Sequence, residues 1–79
     1  MKIYDYDGKK NISGSRISQA RKKNKISQTD LAARMQVAGV NIGRDSISRI
    51  ESGARFVSDY ELKHFADILN VPFSALIDG

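Results

Sequence analysis

Between residues 44 and 51 the sequence RDSISRIE sets two isoleucines, Ile47 and Ile50, three apart and surrounds them with charged and hydroxyl side chains. At the 100° per residue of a helix, the isoleucines define one side, leaving Asp45, Ser48 and Arg49 near the opposite face and Arg44 on a flank. Such a rim is suited to recognition. An arginine presents a two-pronged donor that fits O6 and N7 of guanine, and a carboxylate accepts from N4 of cytosine, so a G·C-containing stretch of a duplex major groove matches the pattern. The chain offers little for bond making. Serines are plentiful, but none stands with a His and an Asp in a nucleophile-elbow context, and neither a P-loop nor a G-x-G-x-x-G run occurs. His64 has no carboxylate or second histidine at ligand spacing. We therefore expect no enzyme, no metal and no cofactor.

The whole chain must hold that helix in place. Its 79 residues suffice for one small domain, and 41% hydrophobic content is that of a globular chain. There is no cysteine, hence no disulfide framework and no thiolate metal site. The apolar runs are short and the first residues lack the layout of a signal peptide, so a cytoplasmic protein with no membrane partner is expected. The net charge of +4 is unevenly spread. Residues 1–55 hold twelve basic against five acidic side chains, a balance of +7, and residues 56–79 hold one against four, a balance of −3. A basic end of this kind is what a polyanion-binding face requires.

Residues 1–12 read as an N-terminal arm, either a flexible terminus or one whose Tyr4 and Tyr6 pack on the body or on a second copy, and residues 13–79 as the folded domain. A first helix is predicted from Ser13 or Gly14 to about Asn24, with Ile17 and Ala20 inward and Ile26 tucked beneath it. Ser27 is a natural N-cap, with Asp30 adding negative charge to the first turn of a second helix over about 28–36 that buries Leu31, Ala32 and Met35. Residues 37–43 have no helical period and form a loop. The third helix spans 44–51 and ends at Gly53, which can take positive φ. Ser58 and Glu61 form a capping box ahead of the stripe Leu62, Phe65, Ala66 and Leu69, a helix that Asn70 closes. Pro72 suits the start of a short last helix carrying Phe73, Leu76 and Ile77.

Taken in order, Arg16-Ile17, Ala20-Arg21, Ser27-Gln28, Leu31-Ala32, Ser46-Ile47-Ser48-Arg49-Ile50-Glu51, Gly53 and Leu69-Asn70-Val71-Pro72 with Leu76 resemble the Cro/C1-type helix-turn-helix domains of phage repressors and of bacterial regulators of the xenobiotic-response-element class. The resemblance covers residues 14–78. It implies an all-α, compact five-helix bundle of the lambda-repressor-like type, here with the N-terminal arm. One departure stands out: the family joins its second and third helices by a shorter connection than VAGVNIG, in which Ile42 is expected to fold back into the core.

By the family's pattern, Arg44, Asp45, Ser46 and Arg49 read bases or adjacent phosphates, Gln28 holds a backbone phosphate at the start of the second helix, and Ser52 and Arg55 lie near the same strand. With Ser48 from the helical-wheel reading, these are the expected DNA-binding residues. Arg21 and Glu51 fall on the flanks of their helices' apolar faces, and the family pairs them in a partly buried ion pair, so they are assigned to structure. The expected function is sequence-specific, double-stranded DNA binding by a transcriptional regulator, in the manner of a repressor, acting as a homodimer with no small-molecule effector. Helix five with Phe73, Leu76 and Ile77 is the first choice of dimer interface. A protein-interaction module such as an antitoxin or immunity partner is the alternative use of the same scaffold.

Overall fold

The computed structural model describes residues 8–77, and Tyr4 and Tyr6 lie outside them. Five helices follow in order: α1 (Gly14–Lys23), α2 (Gln28–Val37), α3 (Arg44–Glu51), α4 (Asp59–Leu69) and α5 (Ser74–Ile77). The starts of α1, α2 and α4 are capped by side chains. Ser27 Oγ accepts from the Asp30 N–H at 3.0 Å, opening α2. At α4 the capping box closes both ways: Ser58 Oγ accepts from the Glu61 N–H, and the Glu61 carboxylate accepts from the Ser58 N–H at 2.9 Å. For α1 the cap comes from further back, because Asn11 Oδ1 accepts from the Gly14 N–H at 2.8 Å.

The ends of α1 to α4 share one device. In each, a residue in the left-handed region, respectively Lys25, Gly39, Gly53 and Asn70, donates its N–H three residues back, and the next residue donates five back. For α2 these bonds are Gly39 N–H to the Gln36 carbonyl and Val40 N–H to the Met35 carbonyl, and the accompanying Val40 and Met35 side chains are both buried. The carbonyls that a helix end leaves open are thereby satisfied inside the chain.

α1 packs on α3, α4 and α5, and α2 on α3 and α4. The core consists of the apolar stripes of these helices, Ile17, Leu31, Met35, Ile47, Ile50, Phe65 and Leu69, all shielded from solvent, joined by Val40 and Ile42 from the loop. Ile42 thus turns inward as its sequence context suggested. Gly14 sits where α1 crosses the end of α3, and a Cβ there would run into the Ile50 carbonyl oxygen.

Two expectations need correction. Val37 closes α2 instead of opening the loop, which runs over 38–43. The dimer surface assigned to the last helix does not hold as a set, because Leu76 is 1% exposed in the chain's own core and Ile77 packs partly against it, leaving only Phe73 outward. α5 itself starts at Ser74, with Pro72 in the turn before it accepting from the Ala75 N–H.

Lys25 occupies the left-handed position with a side chain that disfavours it. Lys25→Gly is expected to stabilise the domain by about 1 kcal/mol, the relief of strain exceeding the entropy gained by the unfolded chain, as read from the urea midpoint.

Candidate nucleic-acid interface

α3 is held by its far end. Glu51 receives Arg21 Nε at 2.7 Å and Nη2 at 3.0 Å, a two-pronged pair whose side chains are 7% and 12% exposed. The third nitrogen of Arg21, Nη1, donates to the Ile26 carbonyl at 3.0 Å, and Gln28 Nε2 donates to Glu51 Oε1 at 3.0 Å. One arginine therefore ties α1 to the α1–α2 turn and to α3, while the first residue of α2 reaches the same carboxylate. Burial pushes the Glu51 carboxyl up, but the hydrogen bonds from Arg21 and Gln28 and the charge of Arg21 outweigh it and hold the group below its ordinary range. The hydrogen bond to Glu51 raises Arg21 against the opposing effect of burial.

Ile47 and Ile50 are wholly buried and Glu51 is held in its ion pair, which leaves the remaining residues of α3 nearer the surface. Arg44, Asp45 and Arg49 are exposed, and Ser46 and Ser48 are half-buried. Arg44 Nη1 lies 3.7 Å from Asp45 Oδ1, both side chains being largely in solvent, so the contact holds neither strongly. The Arg49 guanidinium has no hydrogen bond or ion pair among the described residues. Ser52 is exposed just beyond the helix, its Oγ donating to the Arg49 carbonyl at 3.1 Å.

Two expected interface residues sit differently. Gln28 is half-buried and spends one amide proton on Glu51, leaving one proton and its backbone N–H at the α2 terminus. Arg55 is half-buried, and its Nη1 and Nη2 donate to the two oxygens of Glu61 at 3.2 and 3.1 Å. Glu61 in turn sits below its ordinary range: burial raises it, and Arg55 with the Ser58 N–H more than offsets that. The guanidinium of Arg55 thus locks the α3–α4 connection to the start of α4.

Sequence reasoning missed Asn11, which it placed in the arm. The Asn11 amide donates to the Ile50 carbonyl at 3.0 Å and the Arg55 carbonyl at 2.8 Å, while its oxygen caps α1. Lys10 N–H donates to the Gly53 carbonyl at 2.8 Å, so residues 9–11 lie along the end of α3. The local signal was an Asn three residues ahead of a helical glycine, a capping position shifted outward by the glycine's close approach to α3.

α3 thus has a buried, ion-paired end and an exposed polar rim. The family model described as helix-turn-helix matches residues 17–76. The chain belongs to the helix-turn-helix family. It is a Cro/C1-type DNA-binding domain, in which α2 and α3 form the helix-turn-helix pair and the family's regulators act by binding DNA. Comparison with curated proteins and with solved structures returns no match. Among the described residues no helix is long and apolar enough to cross a membrane, and no cluster of potential metal ligands occurs.

Because the folded Glu51 and Glu61 carboxyls both lie below the unfolded-chain value, their contribution to the helix-turn-helix domain is complete above about pH 4.5 and is lost as pH falls through the folded values. Urea midpoints are expected to hold from pH 7 to 5 and then drop. Glu51→Gln should make that drop shallower and cost about 3 kcal/mol at pH 7, since it leaves Arg21 without its counter-charge.

Proposed function

We propose that this domain is a sequence-specific transcriptional repressor of the cytoplasm that places α3 in the major groove of double-stranded DNA. Arg49 carries the reading: it is an exposed, unpartnered guanidinium, among the described residues, on the face opposite the two buried isoleucines. Arg44 and Asp45, at the first turn, stand where base edges are met, with Ser46 and Ser48 between them and the core. Gln28, bonded to Glu51, and Ser52, just past it, lie at the end of α3 and serve phosphates, Gln28 through its remaining amide proton. Arg55 contributes by holding the backbone beyond α3, its charge being shared with Glu61.

One helix in one groove gives limited contact area, so the domain acts as a homodimer on a two-fold site with half-sites about 34 Å apart. Tyr60 and Phe73, 59% and 42% exposed, form an aromatic surface bordered by Asp59 and Lys63. Opposite charges beside one apolar surface suit pairing of two identical copies, each aspartate meeting the other's lysine.

Arg49→Ala is expected to weaken the best duplex chosen from a random pool about tenfold or more, with an unchanged melting temperature; unchanged binding would remove α3 as the reader. Phe73→Asp should shift the mass measured by light scattering from dimer toward monomer and weaken binding to a two-fold site more than to a half-site. A monomeric mass for the wild-type chain at high concentration would overturn the dimer.

A further inference from the structure

The connection over residues 38–43 is long for a joint between two such helices, yet it is anchored to α2 and the core. Gly39 and Val40 close α2 through their N–H groups, Val40 and Ile42 are 4% and 2% exposed, and Gln36 Nε2 donates to the Ile42 carbonyl at 2.9 Å. Between those two buried anchors Asn41 is exposed. Alternation of this kind fixes an outward direction for the middle side chain, as in an extended strand. A loop asparagine ordinarily bonds its own neighbouring backbone. Asn41 does not, its amide having no hydrogen-bond partner among the described residues.

Three residues after Asn41 comes Arg44, the first residue of α3, so at most about 11 Å of chain separates the two. An asparagine amide, held outward and free of other bonds, matches the N6 donor and N7 acceptor that adenine shows in the major groove. We propose that Asn41 is a second reading element, contacting an A·T pair next to the stretch met by Arg44 and Arg49. The inference rests on the proposed insertion of α3 in the groove and adds to it a residue outside the helix. The longer connection is then a ledge that extends the footprint beyond the α3 N-terminus.

Selection from random duplexes with the full chain, in parallel for wild type, Asn41→Ala and Arg49→Ala, tests this. Asn41→Ala is expected to lose preference at one A·T position, to bind the wild-type site roughly tenfold more weakly, and to keep the melting temperature and salt dependence of the wild type, while Arg49→Ala loses preference at a different position. Retention of the full pattern and affinity by Asn41→Ala, with Arg49→Ala impaired, would overturn the proposal. So would a uniform loss of affinity over all duplexes with the base preferences unchanged, which assigns Asn41 to a phosphate. If Arg49→Ala also leaves the pattern unchanged, the groove reading of α3 fails first and the role of Asn41 with it.

Discussion

The carboxylate of Glu51 is the point on which the arrangement turns. It accepts from Arg21 on α1 and from Gln28 at the start of α2, and it sits at the last residue of α3. Three helices are thus referenced to one nearly buried charge. Buried ion pairs contribute little net stability compared with an apolar replacement, but losing one partner is costly, which makes the pair a strong constraint on relative placement. The helix that carries the polar rim is consequently fixed in rotation as well as position, with Ile47 and Ile50 beneath it and Arg49 free above.

A second layer of constraints operates through backbone carbonyls. Asn11 gathers the carbonyls of Ile50 and Arg55, Asn24 reaches the Leu69 carbonyl, and Arg16 reaches that of Ala75. Each joins segments far apart in sequence at a helix end, where carbonyls have no partner within the helix. The end of α3 receives two of these, from Asn11 to the Ile50 carbonyl and from the Lys10 N–H to the Gly53 carbonyl just beyond the helix. Its N-terminal half is less encumbered, which suits a surface that must exchange water for a partner.

The charge distribution follows the same division. The acidic C-terminal third spends Glu61 on Arg55 and on the capping of α4, so the charge of Arg55 is drawn away from the free rim. Arg44 and Arg49 are exposed and make no ion pair with that region among the described residues. The sign of the surface on either side of the domain is therefore a product of pairing as much as of composition.

What the sequence alone determined was local. Ser27 and Ser58 mark helix starts, Gly53 and Asn70 mark ends, and the spacing of Ile47 and Ile50 or of Leu62, Phe65 and Leu69 marks inward faces, because capping and periodicity depend on residues within one turn of each other. The Arg21–Glu51 pair was legible through its flank positions together with the family's pattern. Tertiary structure decided the rest. Asn11 reads as part of an arm until α3 lies 39 residues away in sequence and next to it in space; Arg55 reads as a free cation until the turn into α4 brings Glu61 to it; Leu76 reads as surface for a second copy until α1 covers it. In each case the deciding contact joins separate elements, and no spacing along the chain encodes which open carbonyl, carboxylate or apolar gap a neighbouring helix will present.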